Sequence, residues 1–219
     1  MRKGDAKYIF EASEKPSLPL ISAPLIEATD DSVQEFGYLV DNPAGFEIEI
    51  VQWPAHGWRP IDVGTGNEAG YVEGIFHGYW DGDILMGRNE AVDGNYVLGW
   101  SCDPQLAQAI TATVPREQIL LWHMNYHPDG GQLFFPLDKK PFVVPVAPPG
   151  DDIKLEHVVA FWCNGSQGLY VHPNVWHEGV LPVEDSQRFL DRQGRVHARV
   201  SCDFASEFGA YLSVPLFLR

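Results

Sequence analysis

Most of this 219-residue chain is written in short strand-like runs, set close together and cut by 21 glycines and 17 prolines. Runs fall at 47–51, on both sides of Asp81-Gly82 within 71–88, at 96–100, and near 118–127, 132–136, 142–146, 157–163, 168–172, 179–183, 197–203 and 210–217. Such a pattern predicts an all-β sandwich or barrel, because many short strands must close on one another to bury their apolar faces. Asp81-Gly82 is a hairpin dipeptide, and Asp93-Gly94-Asn95 is a second turn ahead of Tyr96. Two helices are expected. One spans 29–37, with capping residues, an acidic first turn and a terminal Gly37; the other opens at Asp103-Pro104 and runs to about Thr113.

The formal net charge is -15 and no Lys/Arg cluster offsets it, which argues against nucleic acid and anionic membranes as partners. A small anionic substrate is still allowed, because it feels local charges. No run reaches the ~18 apolar residues that cross a bilayer, and the first residues have no apolar stretch like that of a signal peptide. A cytoplasmic location is expected. Cys102, Cys163 and Cys202 are far apart and read as reduced thiols. Residues 1–30, with Pro16, Pro19 and Pro24, read as an extended arm on a single domain. The Gly64–Gly70 stretch has neither the spacing nor the context of a nucleotide loop, so no nucleotide cofactor is expected. Its flank, His56 to Arg59, reads as a mobile loop whose Trp58 and Arg59 could cover a pocket.

Two histidine-bearing stretches carry the chemistry: His123 to Gln132, and Tyr170 to His177. On a strand, His123, Asn125 and His127 share one face with Ile119 and Leu121, like an interior wall opening into a pocket. At ~3.3 Å per residue His123 and His127 are about 13 Å apart, so both reach one metal only if the strand bends. Gln132 follows the Asp129-Gly130-Gly131 turn and could point back into the same space; His172 and His177 flank the Pro173-Asn174 turn. Three readings stay open: a divalent-metal site (Zn, Ni, Mn or Fe) on His123, His127, Gln132 and His177; a catalytic or hydrogen-bonding histidine pair; or structural histidines. His56, His77, His157 and His197 read as structural or surface residues, and Trp122, Phe134 and Trp176 as possible pocket walls.

Several segments resemble the ureidoglycolate lyase family of the cupin superfamily. They are Asn125-Tyr-His127-Pro128, Gln132-Leu-Phe-Phe-Pro136, Pro141 to Ala147, Gly150-Asp-Asp152, Phe161, Asn164-Gly-Ser-Gln-Gly168, and Tyr170-x-His172-x-Asn174-Val-Trp-His177, with Gln34 to Gly37 near the N-terminus. The chain departs from the family pattern in two ways. Asn125 stands where the family has a glutamate, and residues 43–115 are much longer, ahead of a core at 116–219. The resemblance implies a jelly-roll barrel, commonly homodimeric, that splits ureidoglycolate, or a related α-hydroxy acid carbinolamide, into glyoxylate and urea. It implies His127 and His177 as acid–base pair or ligands, Gln132 as orienting group and His172 as a further catalytic candidate. Asn125, Trp176, Arg59 and Arg88 are the substrate-binding candidates. The alternatives are another metal-dependent cupin enzyme, an oxygenase or isomerase, or a ligand-binding cupin without catalysis.

Overall fold

The runs condense into two sheets that face each other across a shared interior. The computed structural model describes residues 15–66, 68–196 and 198–218. In chain order the strands are β1 (Leu20–Ser22), β2 (Leu25–Glu27), β3 (Gly37–Val40), β4 (Glu68–Asp81), β5 (Ile84–Asn89), β6 (Gly94–Trp100), β7 (Gln118–Leu121), β8 (His123–Tyr126), β9 (Gln132–Pro136), β10 (Phe142–Ala147), β11 (Val159–Cys163), β12 (Gly168–Val171), β13 (Trp176–His177), β14 (Leu181–Pro182), β15 (Ser186–Val196), β16 (Val200–Asp203) and β17 (Tyr211–Pro215). One sheet has the order β1-β17-β7-β6-β5-β4-β15-β9-β12-β3. The other runs β16-β8-β13-β10-β11-β2, with β14 beside β10. This is the all-β, cupin-like jelly roll that the strand pattern and the resemblance predict.

The predicted strand 118–127 is two strands. β7 pairs with β6 and β17 in the first sheet, whereas β8 pairs with β13 and β16 in the second. The chain changes sheet at Trp122, whose indole N–H donates to the Val97 carbonyl at 3.0 Å and whose own carbonyl accepts from Phe204 N at 2.8 Å. Trp122 is thereby a hinge post between sheets rather than a pocket wall.

Strand β15 is absent from the sequence-based expectation, because Ser186 to Val196 is rich in Arg, Asp and Gln. Its period of two explains it. Gln187, Phe189, Asp191 and Gln193 are buried, while Arg188 and Arg192 point outward to Asp138 and Glu73. It pairs with both β4 and β9. Phe189 joins Phe76, Phe134 and Phe142 in the apolar part of the interior, with ring centroids 5.0–6.2 Å apart among neighbours. Two residues on, Asp191 begins its polar part.

Residues 43–115 are not an appendage, since β4, β5 and β6 are consecutive members of the larger sheet. The Asp81-Gly82 hairpin and the turn into β6 form as expected, with Gly82 at φ 60°. The other predictions there need correcting. Residues 47–51 make only a single bridge, Ile50 to Gly130, and no strand. No helix forms at 103–113, where only Leu106 N and Ala107 N bond back to the Asp103 carbonyl. Buried Asp83 captures the backbone N–H groups of Gln108 (3.0 Å) and Thr113 (2.8 Å), which pulls the segment into a loop over the β4–β5 hairpin. The first helix, α1 (Asp30–Val33), is one turn capped by a Thr29/Ser32 box. Gly37 opens β3 instead of closing the helix, because any Cβ there would lie 1.7 Å from the Tyr170 carbonyl oxygen. A second short helix, α2 (Phe204–Phe208), follows β16. The three cysteines are free thiols. Among the described residues no helix is long and apolar enough to cross a membrane.

Candidate active site

The site grows from three strand ends. Asn125 on β8 pairs directly with His177 on β13, so their side chains share the inner side. His127 follows β8, with its ring 5.1 Å from that of His177. Gln132 opens β9 after a turn in which Gly131 is sterically required, since a Cβ there would lie 2.1 Å from the Tyr170 hydroxyl. Its neighbour on that face, Phe134, packs with its ring 6.4 Å from that of His177.

Gln132 links two ionisable groups. Its Nε2 donates to Asp191 Oδ1 at 2.8 Å, and its Oε1 faces His177 Nε2 at 2.9 Å. An ionised carboxylate only accepts, so the amide has one consistent orientation and turns its carbonyl to His177, whose two ring nitrogens then face the Gln132 and Val175 oxygens and compete for the one proton of a neutral ring. Asp191 Oδ2 accepts two further amide N–H bonds, from Asn89 at 2.7 Å and Gln193 at 2.5 Å. Burial pushes the Asp191 carboxyl up to about 6, against the pull of these three donors. Burial also lowers the His177 pKa, opposed by the Val175 carbonyl 2.8 Å from Nδ1 and by the charge of Glu178. Both ring nitrogens of His177 therefore face oxygens within the protein. The Nδ1 of His127 lies 3.2 Å from the Ala198 carbonyl, to which it donates when protonated.

A second pair lies one pleat away. His123 Nδ1 is 2.7 Å from Glu178 Oε2, and Glu178 Oε1 accepts from Gly179 N at 2.8 Å. Glu178 is buried. The Tyr96 ring is only partly covered, but burial of its hydroxyl end, then Glu178 and Asp191, push the phenol pKa upward.

Four of these residues escaped the sequence reading: Asn89, Tyr96, Glu178 and Asp191. Two of them, Glu178 and Asp191, bring buried carboxylates to the histidines. The available signals were the alternation around Asp191 and the direct succession of Glu178 on His177.

Other predicted site residues lie elsewhere. Trp176 is fully buried on the opposite side of β13 from His177, edge-on to Tyr126 and donating to the Gly150 carbonyl at 2.7 Å. Arg59 is buried against that outer face. It makes a double ion pair with Glu207 (2.7 and 2.6 Å) and donates to the Asp151 carbonyl. The expected mobile cover at His56–Arg59 is thus tied to the outside of the barrel. Arg88 is exposed beside Asn89, pointing the other way along β5. His172 packs between Tyr38 and Tyr170, outside the barrel interior. His197 lies outside the described residues.

As arranged, His123, His127, Gln132 and His177 do not fit a common metal ion. Both nitrogens of His177 and both ends of the Gln132 amide face partners within the protein, so neither residue aims a lone pair at a shared centre. A zinc–imidazole bond of about 2.0–2.1 Å needs a lone pair aimed at the metal. Among the described residues no three His, Cys, Asp or Glu are grouped to hold one.

The Ureidoglycolate lyase family model matches residues 99–206, a stretch that includes β8, β9, β13, β15 and β16. The chain is similar to proteins called ureidoglycolate lyase. One from Azotobacter vinelandii is 46% identical over 82 residues, covering 36% of this chain and 48% of that protein. One from Stutzerimonas stutzeri is 39% identical over 94 residues, 42% of this chain and 55% of that protein. A third, from Pseudomonas savastanoi pv. phaseolicola, is 47% identical over 73 residues, 32% and 43% respectively. The chain spans about half the length of the curated relatives it matches. Over residues 99–206, just under half of its length, the chain is similar to the ureidoglycolate lyase family.

Proposed function

We propose that the barrel cleaves ureidoglycolate, or a closely related α-hydroxy acid carbinolamide, to glyoxylate and urea. The reaction needs a base for the hydroxyl proton and an acid for the leaving nitrogen. The observation that carries the reading is the convergence of the His127 and His177 rings, 5.1 Å apart, beside the Gln132 amide. His127 Nε2 takes the hydroxyl proton. The oxyanion collapses to the aldehyde carbonyl of glyoxylate, and the C–N electron pair leaves with nitrogen. Hydroxyl and nitrogen sit on the same carbon, so the imidazolium returns its proton to nitrogen and releases urea. His177 has both ring nitrogens committed and acts by position, holding the Gln132 amide at the pocket wall. Buried Glu178 with His123 supplies the acidic partner pair that Asn125, in place of the family glutamate, does not. The functional form would be a homodimer acting on a small-molecule substrate, as the resemblance implies.

The test is glyoxylate release from racemic ureidoglycolate by the purified protein. His127→Ala and His177→Ala should each abolish it while the fold is retained. No release by wild-type protein, with or without added divalent metal, would overturn the reading.

A further inference from the structure

An α-hydroxy acid brings a carboxylate to an interior that already holds Glu178 and Asp191. Burying a third negative charge there without a cation is costly. Arg59 and Arg88 cannot supply the cation, since one is tied to Glu207 on the outer face and the other points away from Asn89.

Arg199 is differently placed. The antiparallel register sets Asp203 opposite His123, Ser201 opposite Asn125 and Val200 opposite Tyr126. Continued by one residue, it sets Arg199 opposite His127. Strand alternation puts Arg199 and Ser201 on the same side as Asn125 and His177. Asp62 anchors both side chains, its Oδ2 accepting from Arg199 Nε at 2.7 Å and from Ser201 Oγ at 2.6 Å. The backbone is tied to the same segment: Arg199 N donates to Thr65 Oγ1 at 3.0 Å, and Asp62 N to the Arg199 carbonyl at 2.7 Å. Asp62 holds the guanidinium through Nε, so the fork of Nη groups extends beyond the tether. The side chain is 46% exposed, which puts it within reach of solvent. Its charge also acts on the buried end of Tyr96, so its field enters the interior. An exposed ion pair of this kind adds little to stability, but it orients a planar donor fork of the type that binds carboxylates with two parallel hydrogen bonds.

The geometry points to Arg199, oriented by Asp62, as the residue that receives the substrate's carboxylate and so selects small α-hydroxy acids. This rests on the α-hydroxy acid reading above and adds the group that recognises the acid end.

The probes are glycolate and glyoxylate, titrated into the full-length protein by calorimetry, with urea as an uncharged control. Arg199→Gln should weaken both anions by about tenfold or more, the loss of a charge-assisted hydrogen-bond pair. Arg199→Lys should recover part of the affinity, Asp62→Asn should give a smaller loss, and urea should be unaffected. Where turnover is measured, the change should fall on KM more than on kcat. Binding of glycolate by Arg199→Gln as tightly as by wild type, or no anion binding by wild type, would overturn the assignment. Wild-type protein that binds glycolate through Arg199 yet releases no glyoxylate from ureidoglycolate would sink the lyase reading alone.

Discussion

Asp191 reaches His177 through one amide: Gln132 donates to the carboxylate at 2.8 Å and turns its carbonyl to the imidazole at 2.9 Å. The carboxylate thus sets, from the far side of a glutamine, which end of the amide faces His177 and draws its proton toward Nε2, against the Val175 carbonyl at Nδ1. In Asp191→Asn one acceptor becomes a donor, and Gln132 can satisfy it only by flipping its amide. The flipped amide N–H would then face His177 Nε2. Nitrogen-15 NMR of His177 should show the balance shifted toward the Nδ1-protonated tautomer, and turnover should fall about 10- to 100-fold.

Gln132→Leu removes the bridge while keeping similar bulk. It leaves His177 Nε2 without its oxygen and Asp191 with two amide donors instead of three. The expected cost is about 1–3 kcal/mol of stability, read by urea denaturation, together with lost activity. Unchanged stability would show that the amide is not bonded at both ends.

The two buried aspartates predict opposite pH dependence. Asp191 is raised by burial to about 6 from an ordinary 3.8. Between those values the folded protein holds a proton that the unfolded chain has released, so its contribution declines as pH rises and levels off above about 6. The linkage is on the order of 3 kcal/mol. Burial pushes Asp83 up too, but bonds from Gln108, Thr113 and Ser101 hold it below its ordinary value, so its contribution is lost as pH falls. The stability of wild type minus Asp191→Asn should therefore shrink from about pH 4 to pH 7. For Asp83→Asn the difference should grow as pH rises out of the acid range.

Gly131→Ala tests how tightly the turn before Gln132 is packed. The added methyl would meet the Tyr170 hydroxyl, which accepts from Glu49 N at 3.0 Å. The expected loss is about 1–3 kcal/mol, with a lower melting temperature and a raised KM as Gln132 shifts. Tyr170→Phe in the Gly131→Ala background should recover part of the loss.

The sequence by itself determined the fold class, because strand alternation and turn residues are local: Asp81-Gly82 makes its hairpin, and His123 and Asn125 share a face as a period of two requires. It also placed His127, Gln132 and His177 around one interior. Local signals failed where a distant group outcompeted them. The helix expected at 103–113 was lost to the Asp83 carboxylate, and β15 was hidden because its inward side chains are polar. Only the tertiary structure decided that those polar residues face Gln132 and His177, since a buried aspartate becomes tolerable once β5, β9 and β15 bring three amide donors to it. The same long-range packing sent Arg59 and Trp176 to the outside of the barrel and set Arg199, which no motif marks, beside Asp62 on the side of the site.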